Sequence, residues 1–324
     1  MFRKFPIDNY MVLLIATVFL ATALPVSGLS AKVVAYVSYG AVALLFFIYG
    51  AKLETKAVWE SISNWRLQAL IFLTTYLLFP LLGLGLTTAL EGLLKGELVT
   101  GILFLTILPS TVQSSIALTG LANGNVPAAI CAASVSNMAG VVITPLLAAL
   151  LLSGSTVHLD SSAAISICVQ LLFPFIAGQM ARPLVGRWVE KNKRLTLVVD
   201  RGSILLIVYS AFSAGVVAGI WGRLDAITLT LLIATGIGLL MAAMLLIILV
   251  GRFTGLEAAD QTTFLFCGAQ KSLASGVPIA NILFAGHSTS MVILPLMIYH
   301  QFQLFLSVAI AQRKSAAGRT PVLK

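Results

Sequence analysis

The chain has 324 residues, 59% of them hydrophobic and only 10% charged, and its mean hydropathy is +1.02. A soluble domain carries about 25% charged residues, so a soluble enzyme or binding domain is excluded. The chain reads as an all-α integral membrane protein. Its net charge of +9 does not call for a nucleic-acid partner, because the basic residues are scattered over short loops, where membrane orientation explains an excess.

Arg3 and Lys4 precede an apolar stretch that ends near Ser27. With so many spans behind it, that stretch reads as an uncleaved first helix rather than a signal peptide. A spanning helix needs about 20 mostly apolar residues. Cutting at charged or turn-rich punctuation gives ten segments: 9–27, 32–51, 67–90, 98–122, 126–153, 162–181, 196–219, 226–250, 260–284 and 288–311. Asp200 and Arg201 leave the start of the seventh open.

Charge supports an even count. With ten spans, one side receives Arg3 and Lys4; Lys52, Lys56 and Arg66; Arg182, Arg187, Lys191, Lys193, Arg194 and Arg201; Arg252; and Arg313, Lys314, Arg319 and Lys324. The other loops hold Lys32, Lys95 and Arg223. The crowded side, with both termini, is then the cytoplasm, and the expected location is the inner (plasma) membrane. One cation is left over. Lys271 falls near the middle of the ninth segment, while every acid lies in a loop or at a segment end.

The fourth segment contains QSSIA (113–117) and the ninth QKSLA (270–274), both fitting Gln-x-Ser-aliphatic-Ala. The following segments carry Pro145 and Pro295 at similar places. Five spans per half force the halves into opposite orientations, the arrangement of secondary transporters. The expectation is one transporter domain: a first five-helix repeat over 1–153, an inverted second over 162–311, and a cytoplasmic tail over 312–324. Both matched segments are also punctuated, by Pro109 and Gly120 in one and by Gly268, Gly276 and Pro278 in the other. They are expected to be broken helices. Freed backbone groups at that depth must be buried in protein or line a wet cavity, and the half-helix ends offer carbonyls to cations and amides to anions.

The candidate binding residues follow: Gln113, Ser114 and Ser115; Ser134, Ser136 and Asn137; Gln270, Lys271 and Ser272; His300 and Gln301, with Gln303 beside them. The plainer alternatives are serines bonded to a preceding carbonyl and a His300 that marks a helix end. No catalytic set is expected. There is no HExxH, no phosphate loop and no Cys-x-x-Cys, and no buried acid to orient a histidine. Cys131, Cys168 and Cys267 lie in apolar runs and suggest neither disulfides nor metal.

The stretches 44–53, 108–147, 266–284 and 297–305 resemble the bile acid:sodium symporter family, most closely its SBF-like branch, and the likeness covers nearly the whole chain. The resemblance implies ten spans in two inverted repeats, a panel and a core domain that move against each other, and broken fourth and ninth helices that cross in the core. It implies sodium bound near the crossing and an amphipathic organic anion as substrate. By position, Ser114, Ser115, Ser134, Ser136, Asn137 and Gln270 would belong to the ion and crossover region, and His300 and Gln301 to the nearby cavity.

The chain departs from that pattern at two positions. Phe266 stands where sodium-coupled members have a glutamate, and Lys271 where an asparagine is usual. Two sodium ions beside a fixed ammonium repel strongly at low dielectric, so the departure counts against sodium coupling. A charge at bilayer depth costs at least about 2.5–3.5 kcal/mol. Lys271 is therefore read as a tethered cation in place of sodium, held by carbonyls and by hydroxyls such as Ser114 and Ser115, with Gln113. The alternatives are a proton carrier, giving proton coupling or facilitated diffusion, and a snorkelling structural lysine. The function expected is alternating-access transport of a small amphipathic organic anion, with sodium, a proton or no ion coupled and no cofactor. A sodium/proton antiporter, or a membrane protein that regulates ion flux, is the alternative; the lack of embedded acids weighs against the antiporter. Oligomeric state is left open.

Overall fold

The computed structural model describes residues 9–52, 64–152, 172–217, 219, 222, 224–284 and 289–317. Among them the regular structure is helical throughout, with no strand. In chain order the helices are α1 (Asn9–Ala23), α2 (Gly28–Lys52), α3 (Trp65–Leu73), α4 (Phe79–Ala89), α5 (Gly96–Thr106), α6 (Gln113–Leu121) and α7 (Val126–Leu151). Then come α8 (Phe173–Lys191), α9 (Lys193–Val217), α10 (Ala226–Phe253), α11 (Ala258–Ala269), α12 (Leu273–Leu283) and α13 (Thr289–Ala317). A π turn, Thr74–Leu78, joins α3 to α4 as one rod.

Among the described residues, six rods are long and apolar enough to cross a membrane: Gly28–Lys52, Trp65–Ala89, Val126–Leu151, Arg194–Val217, Ala226–Phe253 and Thr289–Ala316. Val12–Ala23 and Gly96–Thr106 are apolar but shorter. Their exposed positions carry large hydrophobic side chains, among them Leu29, Tyr36, Ile227 and Phe253. A surface of that kind suits lipid, in which each backbone group must bond internally and helices are the natural solution. The expected fourth and ninth segments each appear as two short helices with a break, α5 and α6 around 107–112 and α11 and α12 around 270–272. Helix α9 begins at Lys193, so Asp200 and Arg201 lie within it. The expected sixth segment begins outside the described residues, where Cys168 also lies; Cys131 and Cys267 are buried.

The chain divides into two compact units. The first comprises 1–53, 160–224 and 277–291. Here α2 and α8 approach so closely that a Cβ on Gly50 would strike the Phe175 carbonyl, and one on Gly178 the Phe47 carbonyl. Such small-residue contacts bring helix backbones together where lipid supplies no hydrophobic drive. Ile48, Ala51 and Val189 pack nearby with Phe47, Val185 and Val199.

The second unit comprises 54–159, 225–276 and 292–324. Asn125 caps α7 by accepting from the Ala128 amide at 3.1 Å. Asp260 then accepts from Asn125 Nδ2 at 2.8 Å and from Asn64 Nδ2 at 2.7 Å. That one carboxylate ties together the starts of α3, α7 and α11. Asp225 caps α10 through the Thr228 amide at 2.9 Å. Gly101 lies against the Val292 carbonyl and Pro295, so α5 and α13 touch through backbone.

Candidate functional site

The site begins with two prolines and a π turn in the second unit. In the π turn the Phe79 amide donates to the Thr74 carbonyl, one residue further back than in an α-helix. The next residue, Pro80, has no N–H to give. The Thr75 carbonyl therefore loses both donors its helix would supply. At the end of α5, Pro109 has the same effect, and the Ser110 amide is turned away to the Ser136 Oγ at 3.0 Å. The Thr106 carbonyl is left without a helix donor, and Leu108 lies in the non-helical stretch 107–112.

Lys271 fills the gap. It is fully buried. Its Nζ donates to the carbonyls of Thr106 at 2.7 Å, Thr75 at 2.9 Å and Leu108 at 2.9 Å. The Phe79 ring lies 4.2 Å below it, within cation–π range. Three acceptors at hydrogen-bond length require three N–H donors, which an ammonium has and a neutral amine does not. The negative end of the α5 dipole lies at Thr106 and favours a cation there.

The backbone of Lys271 is gripped as firmly. Its N–H donates to Gln303 Oε1 at 2.8 Å, and its carbonyl accepts from Gln303 Nε2 at 2.9 Å. Those two bonds fix which way the Gln303 amide faces. The same Nε2 lies 2.8 Å from His300 Nδ1, so that ring nitrogen is the acceptor and a neutral ring carries its proton on Nε2. Tyr299 donates to the Ala269 carbonyl at 2.8 Å.

The two breaks are joined directly. The Ser272 amide donates to the Pro109 carbonyl at 2.9 Å, and Ser110 Oγ to the Cys267 carbonyl at 2.6 Å. Gln270 is fully buried, and its Oε1 accepts from Thr111, from Ser114 and, at 3.4 Å, from Ser115. Asn137 Nδ2 donates to the Ser110 carbonyl at 2.6 Å, and its Oδ1 accepts from Ser275 at 2.7 Å. Ser136 receives the Ser110 amide and, through its carbonyl, the Tyr76 hydroxyl. Among the described residues, Gln270 Nε2 and Gln301 Oε1 are buried with no hydrogen-bond partner.

Ser114, Ser115, Ser136, Asn137, Gln270, Lys271 and Ser272 are thus brought together, and His300 joins them through Gln303. Ser134 instead bonds the Ile130 carbonyl of its own helix at 2.7 Å. Gln113 heads α6 and is exposed, whereas its repeat partner Gln270 is buried in the break ahead of α12. The ammonium bonds carbonyls, one half of the expected partner set, and not the hydroxyls expected beside them, because Ser114 and Ser115 are committed to Gln270. Sequence reasoning missed Thr75, Ser110, Thr111 and Ser275 and undervalued Gln303. Pro80 in the third segment was the available signal for Thr75. Phe266 is fully buried against Leu118, Ala122 and Ala311, so the place of the resemblance's glutamate is filled with hydrocarbon.

With this arrangement in view, sequence comparison assigns the class. The chain belongs to the SBF-like CPA transporter family, whose model matches residues 8–316. It is 48% identical over 311 residues to a protein of Pseudomonas aeruginosa, covering 96% of this chain and 93% of that one. It is 39% identical to YfeH of Escherichia coli, a protein named as a symporter, over 95% of this chain and 92% of the other. It is 32% identical to the mouse sodium/bile acid cotransporter 7, over 86% and 83%. These relatives set it in the SBF-like branch of the bile acid:sodium symporters, as a multi-span membrane transporter.

Proposed function

We propose that the protein carries a small amphipathic organic anion across the plasma membrane by alternating access, without sodium as the driving ion. The observation that carries this reading is the pair of broken helices whose breaks bond each other around a buried ammonium. A cation held by protein in that place does by covalent tether what a bound ion does by diffusion. Two features weigh against sodium: the ammonium itself, and Phe266 packed in hydrocarbon where a carboxylate would be needed. In this reading the chain has ten spans in two inverted five-helix repeats, with both termini cytoplasmic. Each compact unit draws segments from both halves of the chain, as two such repeats would require. Polar groups of Gln270, His300 and Gln301 would face the substrate path.

Uptake of labelled taurocholate into proteoliposomes tests the proposal, with a sodium gradient, a proton gradient and neither. Uptake indifferent to sodium is expected. Sodium-driven uptake would make hydroxyls and carbonyls alone the ion site, and the tethered-cation reading wrong. Absence of uptake across taurocholate and a panel of amphipathic carboxylates and sulfonates would overturn the organic-anion reading.

A further inference from the structure

The carbonyl cage around Lys271 is built by the backbone and not by the lysine. Thr75 loses its helix donors to the π turn and Pro80, Thr106 loses its own to Pro109 and to Ser136, which takes the Ser110 amide, and Leu108 lies in the non-helical stretch that follows. None of those causes involves residue 271. The oxygens would still converge if the ammonium were gone. They converge at 2.7–2.9 Å from its nitrogen, the length of charge-assisted N–H···O bonds and longer than the roughly 2.3–2.6 Å at which oxygen ligands hold a calcium ion. The Phe79 face closes another side at 4.2 Å, a surface suited to an organic ammonium.

We propose that this cage is a monovalent-cation site whose occupant the chain itself supplies, and that shortening residue 271 opens it to a free ammonium or methylammonium ion. The inference rests on the tethered-cation reading above and names the ligand class of the same place. Lys271 is anchored on both sides by Gln303, so an alanine there keeps the backbone path and leaves a cavity lined by three carbonyls and a ring. Carbonyl oxygens can replace a cation's hydration shell. The spacing favours ammonium and methylammonium first, potassium next and a small hard ion such as sodium last.

The experiment uses the full chain in detergent micelles, at constant ionic strength balanced with choline chloride. Thermal unfolding is followed for wild type, Lys271→Ala and Lys271→Met across ammonium, methylammonium, potassium and sodium. Wild type should be indifferent to the ion. Lys271→Ala should unfold at lower temperature and recover by several degrees, saturably, in ammonium or methylammonium. Lys271→Met fills the space without a charge and should show no recovery. The proposal is overturned if Lys271→Ala shows no ion-specific recovery, if wild type shows the same rise, or if Lys271→Met matches wild type. Should Lys271→Ala fail to accumulate, nitrogen-15 lysine spectra of the native chain decide. A slowly exchanging ammonium signal that vanishes in Lys271→Arg is expected, and a neutral amine there would overturn the cage. The readout is stability and not uptake. A flat ion response therefore sinks the cage and leaves transport standing, while failed uptake sinks transport and leaves the cage.

Discussion

The two breaks in the second unit solve the same problem in opposite ways. At 107–112 the chain stops being helical because Pro109 withholds a donor, and the segment that results is rich in acceptors. Its carbonyls at Thr106, Leu108, Pro109 and Ser110 all receive donors from other segments. Only three residues interrupt the helix at 270–272, and there the break supplies the ammonium of Lys271 and the amide of Ser272 as donors, with Gln270 Oε1 accepting the Thr111 hydroxyl. One break is a row of small polar groups, each satisfied by a different neighbour. The other depends on one long charged side chain and on the one glutamine that holds its backbone. A burden shared over many weak bonds tolerates loss, and a burden concentrated in two residues does not.

That contrast can be broken by mutation. The largest effect should come from Lys271→Ala. It leaves three buried carbonyls without a donor, at about 1–3 kcal/mol for each, read as a loss of folded protein in detergent and recoverable in ammonium. Next should be Gln303→Leu, which leaves the N–H and carbonyl of Lys271 buried and unpaired, at about 1–3 kcal/mol for each. If Gln303→Leu were neutral in chemical denaturation, the second break would not be concentrated in two residues.

Substitutions in the first break should be milder. Ser110→Ala removes one hydroxyl from the Cys267 carbonyl and should cost about 1 kcal/mol. A loss as large as that of Lys271→Ala would mean that the first break is no more shared than the second. The smallest effect belongs to Asp225, fully exposed at the start of α10 and away from both breaks. The hydroxyl of Thr228, and after it the Thr228 amide, hold the Asp225 carboxyl below the usual carboxylate range. A depressed folded value means that its stabilisation is present above the ordinary aspartate pKa and is lost as pH falls through the lowered value. Asp225→Asn should flatten that slight acid dependence in a pH series of unfolding midpoints and leave the neutral-pH midpoint almost unchanged. A shift comparable to that of Ser110→Ala would show that the start of α10 matters as much as the breaks.

Part of this site was legible before any coordinates. A lone lysine in an apolar segment is costly enough to demand an explanation. Pro109, and the polar run after it, marked one break, and Gly268 and Gly276 bracketed the other. The partners of the ammonium were not legible. A carbonyl belongs to every residue, and only the backbone path shows which carbonyls lack a donor. Thr75 lies 196 residues from Lys271, and nothing in its side chain announces the role. Hydroxyls attract attention in a sequence, and here those of Ser114 and Ser115 serve Gln270 while the carbonyls serve the charge. The match between Gln113 and Gln270 also reads as equivalence, yet one heads a helix and is exposed, and the other is buried ahead of one.

Residue chemistry along the chain is enough to establish a helical membrane protein of one transporter family, two interrupted segments, and a cation where hydrocarbon should be. Composition and local chemistry suffice for those conclusions, because the bilayer penalises charge and proline penalises helix wherever they occur. It took the folded arrangement to show that the breaks bond each other in both directions and that Lys271 is satisfied by three carbonyls and a ring. Hydrogen bonds form between atoms that meet in space, and the meeting of residues 75, 106, 108 and 271 is set by the packing of α3, α4, α5 and α11 rather than by any spacing along the chain.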